Sequence, residues 1–591
     1  MKSLVFLVIQ LAASAVALGP LKRQAAAATV ASGCHKIATD TDYPAKSVWQ
    51  QALPGVTAID PSAFGTDPAP DYRYRPRTST DVVNAVKFAT KYNIRLTVIT
   101  SGHDFLCRST SSSGLLLDVS LLTGIRLSSS FKAKTAGVTP IRSDETPKAL
   151  KDSCKEAVVT FGASYGGQPL NDALSAVGMV AVAGNHGAVA PAGGWGQTAG
   201  HSPLANQFGL GVDQWLEAKV VTADGKLRVV NSVSNSDLFW AIRGGGGGFG
   251  VVVEATMKVY PDVPVTGINF WLNSTTPDVN SEGLEKASQA LWAALPDIQA
   301  SGISGYFFGS PGYIRGTSVH VGELSNVTDA YNAWIPVLEK MQSYEGVLPF
   351  QSRPFVYANF KEYYDTTYGA RSWLAAPTGP DYNAKAKRHD ADDPPAPRGF
   401  GWVPTDSVLF GPDHMKDPAL LGVIKTQALW NMIMTTPKPG TTTNIGKQTS
   451  AHPGWRKATA LMTTINLGEL GNADAARAFA PDMGGYINEG WADDPNWKQN
   501  FWGLDNYNRL SGIKTKYDPK NVFWTTPGIN AEQRQFIDGR VCFATGASNT
   551  TAAPITDSKP GPDPVKLAGY LIAELTGKFP APGEYVGVQP H

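Results

Sequence analysis

The chain has 591 residues, with 51 lysines and arginines against 50 aspartates and glutamates, and a hydrophobic content of 42%. So even a charge balance leaves no electrostatic footprint for nucleic acid or an anionic membrane, and directs attention to a small or neutral substrate. The apolar content excludes a disordered or fibrous chain, and the length exceeds one compact core, so two or three folding units are expected.

Met1-Lys2 precedes an apolar run from Leu4 to Leu18, and Ala15-Val16-Ala17 offers a small-residue cleavage site. The run is too short for a membrane anchor and reads as a signal peptide over residues 1–18, hence a secreted protein. Lys22-Arg23 is a second candidate processing site, and no later stretch is long and apolar enough to span a bilayer. In that compartment Asn273, Asn326 and Asn549 become glycosylation candidates. Cys34, Cys107, Cys154 and Cys542 predict two disulfides, with all three connectivities open. Their wide spacing, and the lack of an H-E-x-x-H pairing, predict no metal site.

Residues 19–70 read as an arm without strong periodicity. Val82, Val83, Val86 and Ala89 recur at helical spacing and predict a helix over Thr80 to Tyr92, capped by Thr80 or Ser79. An apolar strand follows, Ile94 to Ile99, and then the loop from Thr100 to Ser109. There Ser101 and Gly102 are small enough to admit a bulky cofactor, and His103 brings a nucleophilic imidazole; read alone, His103 serves equally as a polar loop residue.

A strand over Ala157 to Phe161 and a helix over Leu170 to Val177 enclose Gly162-Ala163-Ser164-Tyr165-Gly166, the G-x-S-x-G pattern. This supports a rival function, a secreted serine esterase using Ser164 with a distant histidine such as His452. Glycine is then dense from Gly184 to Gly211, which suits backbone packed against a large planar ligand. His186 and His201 within it also read as hydrogen-bonded structural histidines. Ala223-Asp224-Gly225 predicts a hairpin between apolar strands. The run Gly244 to Gly248 holds G-x-G-x-x-G at Gly245, Gly247 and Gly250, but between a helix (Asp237 to Ile242) and a strand (Val251 to Thr256). A dinucleotide fingerprint needs the reverse order, so a nicotinamide site is not expected. Consecutive bare amides still suit phosphate oxygens. Beyond residue 262 the texture turns to tryptophan, proline and amphipathic stretches such as Glu282 to Leu295. Residues 491–545 are aromatic-rich, and residues 546–591 have a proline-rich linker composition.

Four stretches together resemble the FAD-linked oxidases of the vanillyl-alcohol-oxidase superfamily, in the berberine-bridge-enzyme-like branch. They are Ser101-Gly102-His103-Asp104; Gly193 to Asp213 with its hairpin; Asp237-Leu238-Phe239-Trp240 through Gly250-Val251-Val252; and Asn506-Tyr507-Asn508-Arg509-Leu510 through Lys514, Tyr517-Asp518-Pro519 and Phe523. The signal-like start, the sequons and His201-Ser202-Pro203-Leu204 look most like secreted fungal members, including isoamyl alcohol oxidases. The resemblance implies an α+β fold: a two-part FAD-binding domain (71–261 and 491–545) with an inserted α+β substrate domain (262–490).

It also implies FAD bonded covalently through His103. Where many members add a cysteinyl link this chain has His186, so no second link is expected. Cofactor contacts are expected at Ser101, Gly102, Asp104, Arg108 and Ser109; at Gly193, Gly194, Gly196, His201, Ser202, Gly209 and Asp213; at Gly246, Gly250 and Val252; and at Asn506 and Tyr507. The implied chemistry moves hydride from an alcohol carbon to the flavin while a base takes the hydroxyl proton, and oxygen reoxidises the flavin to give hydrogen peroxide. Tyr507, His186 or a residue of the inserted domain is the candidate base. A monomer acting on a small alcohol, without nucleic-acid or membrane partners, is expected; a carbohydrate or biosynthetic oxidase, or a non-catalytic flavin-fold protein, is the alternative.

Overall fold

The computed structural model describes residues 33–544, apart from 61–68, 151–155, 276–280, 311, 322–326, 349–350, 368–404, 426, 428–429, 438–448, 467–471 and 538. The signal-like run, the proline-rich tail, Asn326, Asn549 and Cys154 lie outside the described residues.

Three sheets carry the fold. The first has the order Thr57–Ala58, Tyr72–Tyr74, Leu115–Asp118, Leu96–Ile99, and its last three strands are parallel. Parallel strands need a crossover, and the helix Ser79–Tyr92 supplies one between Tyr72–Tyr74 and Leu96–Ile99, which flank Leu115–Asp118. Its cap is Thr78 rather than the expected Ser79 or Thr80: the Thr78 side chain accepts from Asp81 N–H, and Asp81 answers to the Thr78 backbone. That reciprocal box satisfies two otherwise orphaned donors, which a lone hydroxyl one residue later cannot do. Asn93 ends the helix in the left-handed conformation.

The second sheet is antiparallel, in the order Ile125–Ser128, Val158–Gly162, Val251–Lys258, Trp215–Val221, Leu227–Asn231. The Asp224-Gly225 hairpin joins its last two strands, with Gly225 at φ +68°. Both sheets share one apolar core. The third sheet has seven antiparallel strands, ordered Gln351–Tyr357, Val265–Asn273, Tyr313–Val321, Ile303–Ser310, Trp430–Met434, Ala460–Ile465, Thr405–Phe410. Its own core holds the fully buried Trp292 and Trp334, from the helices Glu282–Ala300 and Val327–Gln342. The helix Leu504–Tyr517 then returns to the first core through Tyr507, Leu510 and Ile513.

The arm needs correction. Within residues 19–70 a helix runs from Lys46 to Ala52. Its Trp49 is fully buried, stacked on Tyr72 at 4.2 Å and tilted against Phe88 at 4.5 Å. One indole in a short helix makes no periodic pattern, yet aromatic burial of this size fixes a segment. Cys34 is disulfide-bonded to Cys542 across 508 positions, tying the start of the described chain to its end. Asn273 ends a strand, and its side-chain oxygen accepts from Arg315 Nη2 at 2.8 Å. Among the described residues no helix is long and apolar enough to cross a membrane, and no group of three or more acidic, histidine or cysteine side chains is placed to hold a metal ion.

Two buried histidines outside the glycine loops set the acid response of the fold. Burial, with Arg534 and Arg95 nearby, pushes His35 down to about 3, and burial pushes His452 down to about 4. Unfolded histidine takes up its proton near 6.5. Between these values the unfolded chain binds the more protons, so stability falls as pH falls, by about 1.4 kcal/mol per pH unit per ring. The thermal midpoint should drop between pH 6.5 and about 4, and His452→Asn, which keeps an acceptor for Gly454 N–H, should make that drop shallower. An unchanged slope in the variant refutes the assignment.

Candidate active site

The loop bearing His103 leaves the end of the strand Leu96–Ile99, and Gly102 turns it at φ +74°, where a side chain would be strained. Asp104 holds the loop: its Oδ1 accepts from Arg108 Nε at 3.1 Å and Nη2 at 2.8 Å. The His103 ring lies 4.7 Å from that of His186, tilted by 45°. Burial, reinforced by His186, pushes His103 down to about 3, and burial lowers His186 as well. His103 is therefore neutral at ordinary pH.

Polar contacts run from this loop to the third sheet. Arg108 Nη2 donates to Asn488 Oδ1 at 2.9 Å. Asn488 Nδ2 donates to Thr198 Oγ1 and to the Tyr486 hydroxyl oxygen, each at 2.8 Å. In the same turn, Glu489 Oε1 pairs with His201 Nε2 at 2.9 Å. His201 Nδ1 faces the Tyr306 hydroxyl at 3.4 Å, and Tyr306 comes from the third sheet. Tyr364, on the helix Phe360–Thr367, donates to the carbonyl of Asn185 at 2.9 Å, beside His186 and hence His103. Burial raises the phenols of Tyr306, Tyr364 and Tyr486, so all three remain neutral.

The glycines fall into two groups. A Cβ added at Gly247 meets nothing within 4 Å; at Gly246 it meets only Thr198 Cγ2 at 3.9 Å, and at Gly194 only Asn488 Oδ1 at 3.9 Å. These three present bare backbone to open space. Gly196, Gly244 and Gly250 instead exclude a side chain because protein fills the space, with the Pro191 carbonyl, Ala451 N and Val220 Cγ1 at 2.0, 2.0 and 2.7 Å. Gly193 approaches Thr100 of the histidine loop, where an added Cβ would stand 3.5 Å from Thr100 Cβ. Two pins hold the open run. The Gln197 carbonyl accepts from Gly244 N–H at 3.0 Å and Gly246 N–H at 2.8 Å. The wholly buried Lys514 donates to the carbonyls of Gly248 and Phe523 and pairs with Asp518 at 2.7 Å.

Several expected contact residues are used in holding the loops. Asp213 is gripped through both oxygens by Arg456, at 2.7 and 2.8 Å, and also caps Leu210 N–H. An added Cβ at Gly209 would stand 3.0 Å from Asp213. Ser202 accepts from Leu204 N–H, and Val252 lies buried in the second sheet against Val220. Asn506 donates to the Ala451 carbonyl at 3.1 Å. Ser101 and Ser109 flank His103, both partly exposed. Tyr507 is placed away from the role of base: its hydroxyl donates to Glu532 at 2.8 Å and accepts from Asn530 N–H, with Trp497 packed edge-on at 5.3 Å. The esterase pairing also fails, because His452 Nδ1 accepts from Gly454 N–H at 2.9 Å and its ring packs at Gly484. Sequence reasoning missed Tyr306, Tyr364, Tyr486, Asn488 and Glu489. Only the last three carried any signal, as a polar stretch next to the composition change near residue 490.

The comparisons agree with this geometry. A signature described as "FAD binding domain" matches residues 70–231, and one described as "Berberine and berberine like" matches residues 485–530. The chain is 30% identical over 502 residues to the FAD-linked oxidoreductase ZEB1 of Gibberella zeae, covering 80% of this chain and 78% of that one. It is 28% identical to the VAO-type flavoprotein oxidase VAO615 of Thermothelomyces thermophilus, over 80% and 79% of the two chains. The crystal structure of the VAO-type flavoprotein MtVAO713 from Myceliophthora thermophila C1 matches with a TM-score of 0.73 at 22% identity, covering 87% of this chain and 100% of that one. The bare-backbone cradle beside a neutral imidazole and the homology lead to one conclusion: the chain belongs to the FAD-linked oxidoreductases of the vanillyl-alcohol-oxidase type, in the berberine-like branch.

Proposed function

We propose that the protein is a secreted, monomeric oxidase that takes hydride from a small-molecule alcohol and passes the electrons to molecular oxygen, giving hydrogen peroxide, with FAD bonded to His103 and to no cysteine. The observation that carries this is a buried neutral imidazole on a loop that Arg108 ties to Asn488, with the open glycines Gly194 and Gly246 bordering Asn488 and its partner Thr198. A flavin fits such a place: its flat ring system needs backbone without Cβ atoms, and its phosphates suit consecutive amides. His103 would hold the ring system and the Gly246-Gly247 backbone the rest of the cofactor. FAD, when bound, supplies a hydride acceptor that oxygen can reoxidise. The chain's own residues orient the alcohol, exclude water and receive its proton.

Covalent flavin has precedent in this fold: a glucooligosaccharide oxidase of Acremonium strictum, matching at a TM-score of 0.56 and 16% identity, is described with a 6-S-cysteinyl, 8α-N1-histidyl FAD. His186 beside His103 supports a single link here. The apolar run after Lys2 and the three sequons support secretion. A carbohydrate substrate is the second reading, favoured by the hydroxyls and amides of Tyr306, Tyr364, Tyr486 and Asn488, which suit a polyol.

The purified protein should be yellow, and its colour should stay in the pellet after acid precipitation. His103→Ala should release the flavin on denaturation; a colourless wild-type protein refutes the reading. Gly247→Val should leave the thermal midpoint nearly unchanged while flavin content falls severalfold, since its side chain enters only open space. Full flavin occupancy in that variant would show that the run does not face the cofactor. A peroxide-release screen over aliphatic alcohols, benzylic alcohols and sugars should find a substrate class, and silence across all three refutes the oxidase.

A further inference from the structure

Three groups form an ordered series between the third sheet and the glycine-rich loop. Glu489 Oε1 is 2.9 Å from His201 Nε2, and His201 Nδ1 is 3.4 Å from the Tyr306 hydroxyl. A carboxylate accepts only, so the His201 proton sits on Nε2 and donates to Glu489, which leaves Nδ1 as an acceptor for Tyr306. We propose that Tyr306, His201 and Glu489 form a proton relay, in which Tyr306 takes the substrate hydroxyl proton and hands its own to His201. The inference rests on the alcohol-oxidase reading and supplies its missing base.

The step balances. The substrate O–H bond breaks and its proton goes to the Tyr306 oxygen. The Tyr306 O–H bond breaks and that proton goes to His201 Nδ1. The substrate C–H bond breaks with its electron pair passing to the oxidant, FAD, and the alcohol becomes a carbonyl. His201 ends as an imidazolium facing Glu489.

The placement suits the task. The three groups come from three elements, the strand Ile303–Ser310, the glycine-rich loop and the turn at Ile487–Glu489, and they meet at the seam between the third sheet and the histidine loops. The indole of Trp195 donates to the His201 carbonyl at 2.9 Å and holds that loop. Tyr486 meets the imidazole edge-on at 5.5 Å. Tyr363 and Tyr364 face Tyr306 from their helix, and burial with Tyr363 and Glu489 holds the Tyr306 phenol well above its ordinary range. Tyr306 therefore works as a hydroxyl that relays, not as a standing phenolate.

Nitrogen NMR of histidine-labelled wild-type protein, with His201→Gln to assign the signal among the 9 histidines, reads the tautomer without any substrate. The expected state has a protonated Nε2 and an Nδ1 that accepts. A protonated Nδ1 with a bare Nε2 overturns the relay. Anaerobic flavin reduction by the alcohol that the screen identifies gives the second readout. Tyr306→Phe should slow reduction by about 10²- to 10⁴-fold, the span of general base catalysis, with flavin content and substrate affinity nearly unchanged. Glu489→Gln should also slow reduction, because the imidazolium formed in the step loses its counter-charge. Reduction of Tyr306→Phe at the wild-type rate refutes the relay and leaves the oxidase reading standing. If no alcohol reduces the flavin, the oxidase reading fails, and the relay that rests on it fails with it.

Discussion

The site depends on holding backbone that has no side chains to hold it. Each glycine in an ordered segment costs roughly 0.5–1 kcal/mol more than alanine in lost freedom, and Gly244 to Gly248 puts five together. The run is fixed through its peptide groups instead. Gln197 takes two of its N–H groups on one carbonyl, and Lys514 takes the carbonyl of Gly248 from the other side. Lys514 is wholly buried, so its charge is tolerated only because Asp518 and two carbonyls surround it. Removing one partner of such a pair costs about 3–5 kcal/mol. Here the ion pair serves geometry first: it sets where a strip of bare amides lies.

The same economy explains why the crevice forms at the seam between sheets. The first two sheets close one core and the third closes another. Neither core can admit polar side chains without partners, so the tyrosines, amides and charges collect where the two meet. Asp213 with Arg456 binds the glycine-rich loop to the segment after residue 449, and Arg108 with Asn488 binds the histidine loop to the turn that carries Glu489. The contacts that join the units therefore also border the crevice. A shift of either unit would move His201 relative to Tyr306.

Sequence legibility divides along the same line. The helix Ser79–Tyr92, the hairpin at Asp224-Gly225 and the helix–loop–strand order around the glycine run were readable, because each is written in consecutive residues. The glycines were visible for the same reason, though not which of them face open space. That distinction depends on neighbours far away in sequence: Ala451 behind Gly244, nothing in front of Gly247. Tyr306 and Glu489 were not legible. Nothing local separates Tyr306 from its strand neighbours, and it meets His201 across 105 positions. The Lys46–Ala52 helix was missed because one tryptophan, not a period, fixes it.

Two histidines on one crevice are kept in opposite conditions. His103 is buried beside another imidazole, which favours the neutral ring. His201 has a carboxylate on one nitrogen and a hydroxyl on the other, so both ring nitrogens are engaged. A ring kept neutral by burial and a ring hydrogen-bonded at both nitrogens need different surroundings. Placing them on separate loops, each braced by its own partners, lets both persist.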